Sequence, residues 1–191
     1  MNRRSYGSAG ATPSQASKSC LAEMCVECHG EDGNSISTFA PHLAGQYAQY
    51  IVKQIHDFQA GKRDNPTMNM MAQGIDDSTL IDIAAYFASN EKMKGDGGGY
   101  SAVAEKLFFN GAVERGILPC AACHGARGGG KLFAGVAYPM IGGQRATYLR
   151  RQLLNWKSGA RSNSPEDVMN KIALALQVDE INTLAEYIAG L

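Results

Sequence analysis

The residues best able to do chemistry are five cysteines and four histidines, and four of those cysteines fall in two matching clusters. Cys25-Val-Glu-Cys28-His29-Gly30 recurs as Cys120-Ala-Ala-Cys123-His124-Gly125, 95 residues later. A Cys-x-x-Cys-His run suits covalent haem attachment: two thiols add to two vinyl groups of the porphyrin, and the next imidazole lies under the iron. A redox disulfide does not require a histidine after both pairs. Structural zinc fits poorly, because 91 residues lie between Cys28 and Cys120, far beyond a ribbon spacing of roughly 15 to 20. Cys25, Cys28, Cys120 and Cys123 are therefore expected to hold two covalently bound haem c groups, with His29 and His124 on the irons. Cys20 is left over and reads as a small buried residue at a helix crossing.

An electron carrier fills both axial positions of its iron, and methionine with histidine is the pair that raises the potential. Met68, Met70 and Met71 compete in the first half. Register separates them: Met68 stands seven residues before Ile75, and Met169 seven before Leu176. Met68 and Met169 are the expected sixth ligands, each in a loop rich in turn formers. Met70, Met71 and Met140 read as core filler. His42 and His56 are rivals in the first half, whereas the second half holds no histidine beyond His124. A carbonyl near Pro41 and Pro139 is a candidate acceptor for the other N–H of each proximal imidazole. Tyr50, Tyr148, Trp156, Arg63 and Arg161 are candidates for haem propionate contacts, with core packing the default for the aromatics.

The elements that must position these residues are also written twice. Pro41-x-Leu43-x-Gly45-Gln46 returns as Pro139-x-Ile141-x-Gly143-Gln144. Tyr50, Gln54, Phe58, Gly61 and Arg63 return as Tyr148, Gln152, Trp156, Gly159 and Arg161, 98 residues on, and Leu80 and Tyr86 return as Ile181 and Tyr187, 101 on. Two copies indicate a duplicated domain rather than a solenoid. The expected division is a first cytochrome-like unit over 1–92, with 1–19 a weakly ordered lead-in, a glycine-rich linker over 93–100, and a second unit over 101–191. Each half has about ninety residues, small enough that a large prosthetic group would help to fill its core.

The fold class is all-α. Tyr47, Tyr50, Ile51, Gln54, Ile55 and Phe58 share a helix face, with Gly61 and Gly159 as stops. Leu80, Ile83, Ala84 and Phe87 mark a last helix capped by Asp76 or Asp77, and Ile181, Leu184, Ala185 and Ile188 repeat it. Helices are expected over 14–24 and 101–110, and no strand pattern stands out. The Gly125–Gly130 run follows no predicted strand and reads as a mobile loop, not a phosphate cradle.

Composition excludes other classes. A formal net charge of zero argues against a nucleic-acid partner. No apolar run is long enough to span a bilayer. Charge is nonetheless uneven: residues 1–99 carry 8 Lys and Arg against 11 Asp and Glu, and residues 100–191 carry 10 against 7. Arg145, Arg150, Arg151 and Lys157 form the expected basic docking patch.

The stretches CVECHGEDGNS, APHLAGQ, FQAGKR and LIDIAAYF, with LFFNGAVERGILPCAACHG, AYPMIGGQ and INTLAEYIAGL, carry a resemblance. Residues 20–191 resemble the diheme cytochrome c4 family. The resemblance implies two tandem class I cytochrome c folds, with His29 and Met68 on one iron and His124 and Met169 on the other. It implies a bacterial periplasmic electron carrier and no catalytic residues. Expected partners are an upstream cytochrome bc complex or small copper or haem donor, and a downstream terminal oxidase. Loose peripheral membrane association stays open. The diheme subunit of a sulfide-oxidising flavocytochrome is similar in fold and haem count. A diheme peroxidase would need an iron position open to substrate.

Overall fold

The structure is a computed structural model that describes residues 25–93, 95 and 98–191. Cys20, the lead-in and the helix expected over 14–24 lie outside the described residues.

In the first half, α1 (Val26–His29) contains the histidine of the first cluster, followed by α2 (Ala48–Gln59), α3 (Pro66–Ala72) and α4 (Asp77–Ser89). In the second half come α5 (Ala102–Asn110), α6 (Cys120–His124), a hairpin of β1 (Lys131–Phe133) and β2 (Val136–Tyr138), then α7 (Ala146–Ser158), α8 (Val168–Ala175) and α9 (Val178–Ala189). Local chemistry starts these helices. Asp76 caps α4 by accepting from Thr79 N at 2.8 Å. Ser101 caps α5, and Gln177 with Glu180 forms a reciprocal box at the start of α9. Each such cap satisfies a backbone donor that the first helical turn leaves unpaired. Gly159 ends α7 in the left-handed region, at φ +79°.

Packing follows the apolar faces read from the sequence. Ile51, Ile55 and Phe58 on α2 meet Leu80, Ile83, Ala84 and Phe87 on α4 in one buried cluster. Leu149 and Leu153 on α7 meet Ala104, Leu107 and Phe108 on α5 and Ile181, Leu184 and Ile188 on α9 in a second. Each large apolar side chain in these clusters contributes about 1.5–3 kcal/mol. A third, small cluster of Ala44, Met93 and Met140 lies where the halves meet.

Two glycines between the halves, Gly95 and Gly98, lie against the backbone of the last helix. A Cβ at Gly95 would lie 1.6 Å from the Ala189 carbonyl oxygen, and one at Gly98 would lie 1.7 Å from that of Glu186. These glycines permit the close approach of two backbones.

The hairpin is a departure from the expected strand-free fold. Its strands are three residues each, and its turn residues Ala134 and Gly135 both have positive φ, at 49° and 81°. That is the geometry of a tight two-residue hairpin. Alanine in place of the usual Asn or Asp at the first turn position hid the signal. The Gly125–Gly130 run is likewise packed: a Cβ at Gly128 would sit 2.5 Å from Gly142 N.

Candidate haem centres and the interface between them

Each Cys-x-x-Cys-His run ends a short helix that turns its histidine inward. His29 and His124 are buried. His29 Nδ1 lies 2.9 Å from the Pro41 carbonyl oxygen, and His124 Nδ1 lies 2.8 Å from that of Pro139. Both contacts match the acceptor expected near these prolines. A donating Nδ1 places the lone pair of the neutral imidazole on Nε2, the atom a metal needs. Burial pushes both imidazoles below the ordinary histidine value, which the backbone contacts only partly offset. None of Cys25, Cys28, Cys120 and Cys123 is in a disulfide. Burial pushes the Cys120 thiol up to about 11.

Met68 and Cys25 pack against the first cluster, and Met169 and Cys120 against the second. The structure thus brings each methionine to the core that its own cysteine run borders. Both methionines stand in helical first turns, which corrects the expected loops. Asn65 caps α3, with Met68 N donating to its Oδ1 at 3.0 Å, and Pro66 follows at the position where a missing N–H costs nothing. Met169 is the second residue of α8. Met70 is 70% exposed and fills no core, another correction, whereas Met140 is buried as expected. His56 points outward to Asp77 at 3.0 Å. His42 is buried, and its backbone N–H and carbonyl are both bonded to the Gln144 side chain.

The sequence reading overlooked a pair of asparagines that pin these helices. Asn69 Nδ2 donates to the carbonyls of Phe58 and Arg63; Asn170 Nδ2 donates to those of Trp156 and Arg161. The available signal was the dipeptide Met-Asn, repeated 101 residues apart.

A polar network joins the halves about an approximate two-fold axis. Arg63 and Arg161 form an antiparallel backbone bridge. Arg63 donates to Gln54, Gln152 and the Tyr148 hydroxyl at 2.7–3.0 Å. Arg161 donates to Gln152, Gln54 and the Tyr50 hydroxyl at 2.7–3.3 Å. Gln46 and Gln144 repeat this reciprocity, each bonding the other half's backbone, at Met140 and His42. Burial alone would push the Tyr148 phenol up; the two guanidiniums outweigh it and hold the phenol below its ordinary value. Arg145 and Arg151 of the expected docking patch reach across to the first unit, to the carbonyls of Ser35 and Phe39. Arg150 bonds Asn182, and Lys157 bonds the carbonyls of Leu174 and Leu176.

These residues fit a pair of haems. Two buried guanidiniums face each other, and Asp57 is the one carboxylate in their network among the described residues. Trp156 Nε1 is a buried donor with no acceptor, and Arg161 lies 4.0 Å from the centre of its ring. Buried donors ordinarily find partners. Propionates are anionic acceptors of the required kind.

Comparison with known proteins settles the family. A cytochrome c family profile matches residues 14–91. Cytochrome c4 of Pseudomonas aeruginosa is 38% identical over 187 residues, covering 97% of this chain and 92% of that protein. The chain belongs to the cytochrome c4 family. The crystal structure of reduced recombinant cytochrome c4 from Pseudomonas stutzeri superposes with a TM-score of 0.86 at 35% identity, covering 96% of this chain and all of that one. A thiosulfate dehydrogenase electron acceptor of Stutzerimonas stutzeri is 37% identical, covering 97% of this chain and 83% of that protein. The fold is accordingly two tandem class I cytochrome c domains, and the chain is an electron-transfer protein that carries covalently bound haem c. Among the described residues, no helix is long and apolar enough to cross a membrane.

Proposed function

We propose that this chain is a periplasmic two-haem carrier that takes single electrons from a respiratory donor and passes them to a terminal oxidase. The donor would be a cytochrome bc complex or a small copper or haem protein. Bound haem c supplies one-electron chemistry at iron. The chain's residues do the rest. Cys25 and Cys28 hold one group, and Cys120 and Cys123 the other. His29 and His124 present Nε2 to the irons, fixed in that tautomer by Pro41 and Pro139. Met68 and Met169 would supply each iron's second protein ligand, and an iron closed in that way suits electron transfer rather than substrate binding. Arg63 and Arg161 would offset the propionates' charge, and the Trp156 indole would donate a hydrogen bond to one. The division into units over 1–92 and 101–191, joined by 93–100, follows the same repeat.

The observation that carries this reading is the duplication of the whole arrangement: imidazole, carbonyl, methionine helix and asparagine pin recur together. Mass spectrometry of the denatured holoprotein tests it. The expected gain is two haem masses in the native protein, and one after Cys120→Ser with Cys123→Ser. Complete haem loss on acid–acetone extraction would overturn it.

A second reading has a specific basis. The relative named as a thiosulfate dehydrogenase electron acceptor matches along nearly the whole chain. The electron donor would then be a sulfur-oxidising enzyme, thiosulfate dehydrogenase rather than a sulfide-oxidising flavocytochrome. Stopped-flow reduction by each donor at equal concentration separates the readings.

A further inference from the structure

The two methionine helices are approached differently. In the first unit the approach segment looks after itself: Asn65 accepts from Met68 N, and its own N–H donates to Asn69 Oδ1 at 2.6 Å. In the second unit Ser164 accepts from Met169 N at 3.2 Å, and the residue equivalent to Asn65 is Asn163, whose Oδ1 accepts from Arg161 Nε at 2.8 Å within the unit while its other bonds cross to the first. Asn163 Nδ2 donates to Asp57 Oδ2 at 2.6 Å and to Gln54 Oε1 at 3.0 Å, and its carbonyl accepts from Lys53 Nζ at 2.8 Å. All three partners belong to α2 of the first unit. Lys53 and Asp57 also pair with each other, one helical turn apart. The second unit has Arg151 and Asn155 at the matching helix positions, and Arg151 bonds the Phe39 carbonyl instead of the first unit's approach segment.

A strained segment follows the gripped residue. Glu166 and Asp167, between Asn163 and Met169, both have left-handed φ, at 54° and 55°. Neither is glycine, and L side chains there cost about 1–2 kcal/mol each. Such conformations persist where surrounding contacts over-determine them. These residues fall where the repeat offset lengthens from 98 to 101, in a stretch that the first unit lacks.

We propose that Asp57 and Lys53 of the first unit are positioning residues for the second unit's iron ligand, clamping Asn163 so that the strained approach segment delivers Met169. This rests on the assignment of Met169 as that ligand. The clamp makes retention of Met169 depend on the first unit, while Met68 depends only on its own.

Imidazole, which competes with methionine for the iron, is the probe. The ferric holoprotein is titrated with it, and the two ligand-methyl resonances of the ferrous holoprotein are assigned by their loss in Met68→Ala and Met169→Ala. Asp57→Ala should tighten imidazole binding at the second haem about five- to tenfold, as loss of a clamping hydrogen bond implies. It should perturb the Met169 resonance and leave that of Met68 in place. Lys53→Met alters a half-exposed side chain and should shift the same haem by less. Asp57→Asn, which keeps an acceptor oxygen, should restore most of the native affinity. Asp57→Ala combined with Asn163→Ala should match Asn163→Ala alone. Equal tightening at both haems, or none in either single variant, overturns the clamp. A native protein in which Met169→Ala removes no methyl resonance overturns the ligand assignment and the clamp with it.

Discussion

The first and second units are copies that divide their tasks unequally. Both fix the proximal imidazole on a proline carbonyl and pin the methionine helix with an asparagine. Each bonds its methionine N–H to a side chain of its own approach segment, Asn65 or Ser164, but the second unit's segment is longer, strained and also held by its neighbour. Phe58 stands where the second unit has Trp156, and His42 stands where it has Met140. Duplication supplied two equivalent centres; divergence at a few contact positions made one unit a support for the other.

The largest expected effect tests what the units still share. Gln46 and Gln144 each satisfy a buried backbone N–H and carbonyl of the opposite unit. Removing either side chain leaves both groups unpaired, at a cost of about 3 kcal/mol. Gln46→Ala and Gln144→Ala should therefore lower thermal stability by similar amounts. A large difference between them would show that the interface has lost its two-fold character here too.

A smaller effect sharpens the difference between the centres. Trp156→Phe gives the second unit the residue of the first and deletes the unpartnered indole donor. With one donor fewer, a propionate's negative charge favours the ferric state. The second haem's potential should fall by roughly 30–60 mV, at 59 mV per 1.4 kcal/mol for one electron. Redox titration should show one wave displaced and the other fixed. Displacement of both waves would mean that the indole serves the pair.

Much of this was legible in the sequence because a repeat exposes register. The helix faces of α2, α4, α7 and α9, the Asp76 cap and the equivalence of Met68 with Met169 all follow from residue spacing. The prolines pointed to their carbonyls for the reason that makes metal-bound imidazoles need an acceptor. Other features were not readable. Tyr50 and Arg161, or Tyr148 and Arg63, were visible as members of repeated pairs, but a repeat says nothing of how its copies face each other, so their meeting was hidden. Asn65-Pro66 looked like a turn and is a helix start, since the same residues serve both. Met70 looked like core by composition and is exposed by helical phase. The hairpin was hidden by its brevity and by alanine at a positive-φ position.

The central claim is that His29 with Met68, and His124 with Met169, complete two closed iron sites. The weak sulfur–iron absorption band of the ferric holoprotein in the near infrared tests it most directly. Met68→Ala and Met169→Ala should each remove about half of that band, because each site contributes one methionine sulfur. Met70→Ala should leave it whole. A band halved by Met70→Ala, or left whole by Met68→Ala or Met169→Ala, would contradict the account.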